Sequence, residues 1–274
     1  MTPMGSRWRL IRIRQNWAVP EQIGSAGYYR HLMKHSLPRG LSRRRVEHLL
    51  SETKYDRSIG SRVEVLSRNF LGHSYKPNPL IGSADTSEVF TASLDGFDCV
   101  TYIETILALA RASSVADFIN WLRKIRYEQG RIQWERRNHY MTAWIRNNIR
   151  EGIIRPVSTP PVPAVSRERL LNVVPGLAAR RTRLKCVPKA AVPRLAAHLR
   201  SGDLMFFVST RKNLDVFHAG IIVRDSKSVH MRHASRSQSL VVEQDLSEFL
   251  KVNRMAGVIV ERPQGVTGLN ALTN

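Results

Sequence analysis

The chain has 274 residues, of which 42% are hydrophobic, and it carries a formal net charge of +21 at pH 7 with a pI near 11.0. This composition suffices to bury the core of one large domain or two small ones, and it argues against global disorder. No apolar run of about 18 residues is present, so no transmembrane helix is expected, and no repeat of fixed period is visible.

Residues 1–58 are predicted to form a basic N-terminal arm, partly disordered or helical, with a short helix at about 41–53. No apolar core of roughly seven to fifteen residues follows the basic start, so a standard secretory signal peptide is not expected. The charge is typical either of a segment that binds an anionic wall or membrane polymer, or of a solvated cationic surface without a dedicated partner.

The segment 94–110 is the most informative part of the chain. Asp95 and Asp98 are candidate caps, and the apolar residues that follow recur at three- and four-residue steps, which predicts a helix over about 98–112 after one at 60–71. Cys99 then lies in the first turn, where free N–H groups and the helix dipole are expected to lower the thiol pKa. Position alone still favours a buried structural cysteine.

Further helices are predicted near 115–127 and 135–149. The stretch 152–200 is rich in proline and arginine and is predicted to be a long excursion, a loop with short helical pieces. Strands are predicted after it at 203–208, 218–224, 228–234, 239–243 and 256–261, with a brief helical turn at 245–250. Helices segregated from an antiparallel sheet of four or five strands make an α+β fold, with a catalytic domain at 59–264 and a C-terminal tail at 265–274.

Two histidines lie in the strand-like segments near the C-terminal end. His218 opens one apolar run, and His233 lies in the next. A thiol, a histidine base and a third group that orients the base make up a Cys-His nucleophilic site, although separation along the chain does not show whether they meet. His230 and His233 would face opposite sides of their strand, and His233 is preferred because Ala234 and Ser235 follow it.

The sequence predicts no metal and no other cofactor. Four histidines could bind a metal together with carboxylates, but the missing His-Glu-x-x-His spacing argues against a metalloprotease. Cys99 and Cys186 are the only cysteines, and a disulfide between them would destroy the nucleophile. Nucleic acid is not an expected partner, because no zinc knuckle, RNP motif or helix-turn-helix signature is present.

The order of these motifs resembles the papain-like NlpC/P60 superfamily of cell-wall hydrolases, and more closely its DUF1460 branch, described as N-acetylmuramoyl-L-alanine amidase-like. Each motif is weak alone, whereas the ordered set over about 60–263 is specific. The resemblance rests on the Asp-Cys helix start, on Gly-Asp-Leu-x-Phe-Phe, His-x-Gly-Ile and His-Ala-Ser, and on the segments 69–75, 125–132, 137–144, 187–189 and 257–263.

The resemblance implies a role for each candidate site residue. Cys99 is the implied nucleophile, His218 its general base, and His233 the residue that holds the His218 ring in the useful tautomer. Tyr75 falls where the superfamily has a tyrosine that contacts substrate or oxyanion, or it packs on the core. Asp98 and His139 complete the candidate substrate-binding set, although a helix cap explains Asp98 and a hydrogen-bonded cleft-wall histidine explains His139.

The implied reaction is hydrolysis of the amide bond between N-acetylmuramic acid and L-alanine through a thioester, with peptidoglycan or muropeptides as the partner. Three alternatives stay open on this scaffold: a stem-peptide endopeptidase cutting between D-Glu and the diamino acid, an acyltransferase, and a catalytically silent basic binding module. The resemblance implies a periplasmic or cell-envelope location, whereas the lack of a visible signal peptide leaves the cytoplasm open.

Overall fold

The helices begin where serine and aspartate side chains can cap them. In each of three helices, the side chain of Ser42, Ser58 or Ser114 accepts a hydrogen bond from the backbone N–H three residues later, which satisfies a donor that the helix leaves free. A computed structural model describes residues 37–38, 40–56, 58–157 and 162–265. Within them the helices are α1 Arg43–Glu52, α2 Ile59–Arg68, α3 Cys99–Arg111, α4 Val115–Arg126, α5 Met141–Arg150, α6 Val192–Leu195 and α7 Leu246–Val252.

Most of the predicted helices are confirmed to within a few residues. The start of one helix was predicted too early. The helix expected at 135–149 begins only at Met141, after a 3-10 turn at Trp134–Arg136. The first 36 residues of the predicted arm and residues 266–274 of the predicted tail lie outside the described residues. No described helix is both long enough and apolar enough to cross a membrane.

The sheet is larger than the sequence indicated. Among the described residues, ten strands join in one sheet in the order β4-β1-β11-β10-β9-β8-β12-β7-β6, with β5 paired to β12, while β2 and β3 pair separately. The five predicted strands are present as β8–β12, but the expected count of four or five was wrong because short segments and a hairpin extend both sides. The strands are β1 Ser74–Tyr75, β2 Ile81–Ser83, β3 Thr86–Val89, β4 Gly96–Phe97, β5 Ile154–Pro156, β6 Val165–Leu171, β7 Arg180–Pro188, β8 Leu204–Val208, β9 Val216–Arg224, β10 Val229–Ser235, β11 Leu240–Asp245 and β12 Gly257–Pro263.

The hairpin of β6 and β7 lies inside the stretch that the sequence analysis interpreted as a loop. That interpretation was wrong for 165–188, although the short helical pieces it expected are present at 189–198. Leu184 and Cys186 on β7 are buried and pack near Val208. Arg183 and Lys185, which alternate with them along the strand, are exposed. The outward positions are largely arginine. Because charged residues are so frequent in this stretch, the alternation of apolar and polar residues that predicts a strand is hard to recognise in the sequence.

Helix α3 is the centre of the helical layer and lies directly on the sheet. Its residues from Thr101 to Arg111 are all buried, and it packs against α2, α4, β9 and β10. Helix α1, which falls inside the predicted arm, also contacts α3. The first residue of α3, Cys99, therefore lies next to the middle strands of the sheet.

A buried ion pair links three of the helices. The Glu104 carboxylate of α3 accepts a hydrogen bond from Arg126 of α4 at 2.7 Å, and both side chains are at most 3% exposed. Trp144 of α5 donates its indole N–H to the same carboxylate at 3.2 Å. Removing one partner would leave an uncompensated charge in the core, which costs about 3–5 kcal/mol in comparable buried pairs.

Glu261 on β12 is a second buried carboxyl, and it has no such partner. It lies between Leu204 of β8 and Pro156 of β5 in the strand register, and its Oε2 atom forms no hydrogen bond within the described residues. Burial raises the pKa of Glu261 to about 8. Because the pKa in the unfolded chain is the lower one, this group reduces stability progressively as the pH rises from about 4.5 to about 8.

Replacing Glu261 with glutamine should therefore stabilise the protein at high pH. We expect the free energy of unfolding to rise by about 3 kcal/mol near pH 9 and to change little near pH 4.5, because only the ionised carboxylate is penalised by burial. Urea denaturation at both pH values measures this difference, with the exposed Glu151→Gln as the control. An equal effect of Glu261→Gln at both pH values would contradict the assignment.

Candidate active site

The start of α3 is fixed by backbone pairing and by a capping box. Strand β4, which leads into the helix, runs parallel to β1, with Tyr75 paired to Phe97. A Cβ atom at Gly96 would lie 2.8 Å from the carbonyl oxygen of Ser74, so this close approach requires glycine. Asp98 then accepts hydrogen bonds from the backbone N–H groups of Val100 and Thr101 at 3.1 and 2.7 Å.

Cys99, the first residue of α3, has a half-buried side chain with backbone amides around its sulfur. Burial and the negative charge of Asp98 raise the pKa of the thiol to about 12, although the N–H groups of Ala219, Cys99 and Val100 act in the opposite direction. The expectation that the helix start lowers this pKa was therefore wrong. Desolvation outweighs the amides because the helix end is enclosed rather than open to water.

His218 and His233 form a hydrogen-bonded pair on neighbouring strands. Nε2 of His218 lies 2.7 Å from Nδ1 of His233. Ile221 of β9 pairs with Arg232 of β10, so one step further His233 lies opposite Gly220, two residues from His218. The two imidazoles are thus diagonal neighbours on one face of the sheet, within reach of each other.

Both imidazoles are enclosed by aromatic rings. The His218 ring stacks on Phe207 and Phe249 with centroids 6.1 and 5.6 Å apart, and His233 meets Phe249 edge-on at 5.5 Å. Burial, together with His233, lowers the pKa of His218 to about 3, and burial lowers the pKa of His233 to about 4. Both rings are therefore neutral near pH 7.

The structure brings Cys99 and the histidine pair to the same place. The sulfur of Cys99 faces the backbone N–H of Ala219, the residue that follows His218 on β9. No direct hydrogen bond joins the thiol to the His218 ring, whose Nε2 is directed to His233. Cys99 thus lies beside the strand that carries His218, against which α3 packs.

Tyr75 lies near the thiol. Burial raises the pKa of its hydroxyl, Cys99 and Asp98 raise it further, and Arg236 lowers it. Its half-buried ring therefore shares the electrostatic environment of the nucleophile. Arg236, which follows the His-Ala-Ser motif, had no assigned role in the sequence analysis.

Asp98 and His139 line a cavity of about 340 Å³ at the N-terminal end of α3. Nε2 of His139 lies 2.7 Å from the carbonyl oxygen of Trp134, whose ring contacts the imidazole edge-on with centroids 4.0 Å apart. Burial lowers the pKa of His139 to about 4. Neither Cys99 nor the His218–His233 pair lines this cavity, so the interpretation of His139 as a histidine of the substrate cleft stays a prediction.

Sequence reasoning missed part of this wall. Trp134 and Arg137 line the cavity, and the Arg137 guanidinium lies 4.3 Å from the centre of the Trp134 ring. A tryptophan inside the charged run 131–137 was the signal that could have drawn attention to them.

The remaining candidate ligands are dispersed. His230 lies apart from the histidine pair and contacts Ser228 at 2.8 Å and Asp225 at 3.5 Å. Among the described residues, no group of three histidine, cysteine, aspartate or glutamate side chains is arranged to hold a metal ion.

Solved structures with this fold include proteins from Bacteroides and Legionella. An N-acetylmuramoyl-L-alanine amidase from Bacteroides uniformis is 26% identical, with a TM-score of 0.67 over 75% of this chain and 99% of that chain. Protein LPG0564 from Legionella pneumophila, described by the DUF1460 family, has a TM-score of 0.72 at 19% identity over 81% of this chain and 94% of that chain, which shows the fold alone. No curated protein sequence matches the chain.

A family model described as AmiA-like, N-acetylmuramoyl-L-alanine amidase-like, matches residues 65–258. This range is more than half of the chain, and it contains Cys99, His218, His233, Tyr75 and His139. The match therefore covers both the nucleophile helix and the strands that carry the histidine pair. The chain belongs to the AmiA-like family of N-acetylmuramoyl-L-alanine amidase-like proteins.

Proposed function

We propose that this protein hydrolyses the amide bond between N-acetylmuramic acid and L-alanine in peptidoglycan, with a Cys-His-His site of the papain-like NlpC/P60 type. The observation that carries the proposal is that the sulfur of Cys99, at the start of α3, lies against the backbone N–H of Ala219, the residue after His218, and that His218 is hydrogen-bonded to His233. Membership of an amidase-like family supports the reaction class. The proposed substrate places the activity in the cell envelope.

In the resting site we infer a neutral thiol beside a neutral imidazole. The pKa of Cys99 is raised and that of His218 is lowered, so both shifts oppose a preformed thiolate–imidazolium pair. Proton transfer from sulfur to His218 would then accompany attack on the substrate, in the manner of general base catalysis. The amides around the sulfur reduce the cost of the thiolate as it forms.

The tautomer of His218 follows from this role. Nδ1 must be unprotonated to accept the proton of Cys99, so Nε2 carries the hydrogen and donates it to Nδ1 of His233. His233 then holds its own hydrogen on Nε2, which is buried without a hydrogen-bond partner in the described part of the chain. Gln244 lies near enough to His233 to oppose the lowering of its pKa.

The proposed reaction proceeds through a thioester. The sulfur attacks the lactyl carbonyl carbon, and backbone N–H groups at the start of α3, that of Cys99 among them, stabilise the oxyanion. His218 passes the proton to the amine of L-alanine as the C–N bond breaks. A water molecule, deprotonated by His218, then hydrolyses the thioester and restores the thiol. Tyr75, Asp98 and His139 are the proposed substrate contacts.

Digestion of purified peptidoglycan tests the bond that is cut. We expect stem peptides that begin with L-alanine and glycan without substituents, both identified by mass spectrometry, and no products from Cys99→Ala or Cys99→Ser. Alanine is a good helix former in this first turn, so circular dichroism of Cys99→Ala should match the wild type. A dipeptide left on muramic acid would instead show an endopeptidase, and acyl transfer without hydrolysis would show an acyltransferase.

Substitution of His218 should reduce turnover more than substitution of His233. His218→Ala should remove turnover, since no other side chain takes the proton of the thiol. His233→Asn should retain more activity than His233→Ala, because an amide oxygen can still accept the hydrogen bond that orients His218. Steady-state kinetics on a soluble muropeptide measures turnover, which should decrease from the wild type to His233→Asn and further to His233→Ala. If His218→Ala were as active as the wild type, His218 would not be the base.

Alkylation of Cys99 by iodoacetamide tests the neutral resting pair. The rate should rise continuously with pH up to at least about 9, because the thiolate is the reacting form and burial raises the thiol pKa. Peptide mass spectrometry separates Cys99 from the buried Cys186. A rate plateau between pH 5 and 7 that His218→Ala abolishes would instead demonstrate a preformed thiolate–imidazolium pair.

A further inference from the structure

A cationic groove lies on the β6–β7 hairpin, separate from the candidate active site. Its volume is about 760 Å³, and it is open to solvent. Five basic side chains and a single carboxylate line it: Arg167, Arg169, Arg181, Arg183, Lys212 and Glu168. An open groove with this lining favours an anionic ligand over an apolar one.

Part of the positive charge in this groove is not compensated within the protein. Arg183 forms an ion pair with Glu168 at 2.8 Å, which uses the one carboxylate of the groove. Arg169 is buried and donates to the carbonyl oxygens of three loop and strand residues. Arg167, Arg181 and Lys212 form no ion pair with any described acidic residue. Arg167 hydrogen-bonds to the Cys186 thiol, so it is the charges of Arg181 and Lys212 that are open to a ligand.

The groove is joined by a fixed stretch of backbone to the wall of the cavity that Asp98 and His139 line. Leu170 donates its N–H to the carbonyl oxygen of Lys212 at 3.0 Å, and a little further on the Tyr140 hydroxyl accepts the N–H groups of Val173 and Val174 at 2.9 and 3.1 Å. The hairpin loop thus rests on the residue that precedes α5 and follows His139.

The tip of the same loop lies on the wall of this cavity. Gly176 has a φ of +79°, and a Cβ atom there would lie 2.2 Å from the Cβ of Ala84 and 3.7 Å from the Trp134 indole nitrogen. Trp134 lines the cavity at the N-terminal end of α3. Only residues 171–175 therefore separate the groove from the wall of this cavity along the loop.

We propose that this groove binds the stem-peptide carboxylates of a peptidoglycan strand outside the cleft, so that the enzyme favours the polymer over small fragments. The proposal rests on the proposed function, because the polymer that occupies the cleft carries its negative charge on those carboxylates. The planar guanidinium group of Arg181 matches a carboxylate with two parallel hydrogen bonds, and Lys212 adds a second positive charge. Repeated stems along the strand would supply several such groups at once.

Binding to purified wall sacculi tests the groove without turnover. In a Cys99→Ala background we compare Arg181→Gln/Lys212→Gln with the matched Arg180→Gln/Lys185→Gln, which removes the same charges from exposed positions of β7 that do not line the groove. The groove variant should bind about tenfold more weakly at low salt, and the control less than about twofold, given a fewfold effect for each exposed charge. The difference should shrink at high salt.

Chemical amidation of the sacculi tests the ligand. Converting stem carboxylates to neutral amides should bring wild-type binding down to the level of the groove variant. With Cys99 intact, the ratio of sacculus turnover to soluble muropeptide turnover should fall about tenfold in the groove variant, in line with the binding loss.

Two results would overturn the proposal: equal binding by the groove variant and the control, or a binding difference that survives amidation and so reflects phosphate or another anion. Failure of the proposed function is distinct, since it appears as no muropeptide turnover by the wild type.

Discussion

The enclosed start of α3 is the constraint on which the rest of the structure depends. Asp98 caps the helix through Val100 and Thr101, and the parallel pairing of β4 with β1 fixes where the helix begins. The sulfur of Cys99 therefore has a defined position, and His218, its proposed base, has to lie near that position. The sheet does this by placing His218 one residue before Ala219, whose N–H faces the sulfur. Glu104 and Arg126 hold the middle of the same helix in the core.

Burial has opposite consequences for the resting site and for the proposed reaction. It raises the pKa of Cys99 and lowers that of His218, which favours the neutral form of both and makes the free thiolate costly. Surroundings of low dielectric constant also strengthen the hydrogen bonds to charges that would develop during the proposed attack. In this proposal the substrate carbonyl, rather than a resting ion pair, draws the proton from sulfur to nitrogen.

The sequence was sufficient where the signal is local. Caps and apolar spacing predicted α3, and apolar, strand-like runs predicted β8 to β12. The hairpin at 165–188 was missed because many of its outward residues are arginines. The expected lowering of the Cys99 thiol pKa was wrong because burial raises it, and that burial comes from strands far away in the sequence. The contact between His218 and His233 depends on the register of β9 with β10, which no local pattern determines. Their proposed roles came from the order of motifs.

The order of the strands also places the basic groove at a distance from His218. The groove strand β7 lies three positions from β9 in the strand order, or about 14 Å at a spacing of about 4.8 Å per strand. That separation exceeds the Debye length of about 8 Å at physiological salt, so the cations of the groove are largely screened from His218. The pKa of His218 accordingly responds to burial and to His233, and to no arginine. The charge of the groove, and with it the proposed attraction to a polymer, can therefore change without altering the electrostatic surroundings of the proposed proton transfer between Cys99 and His218.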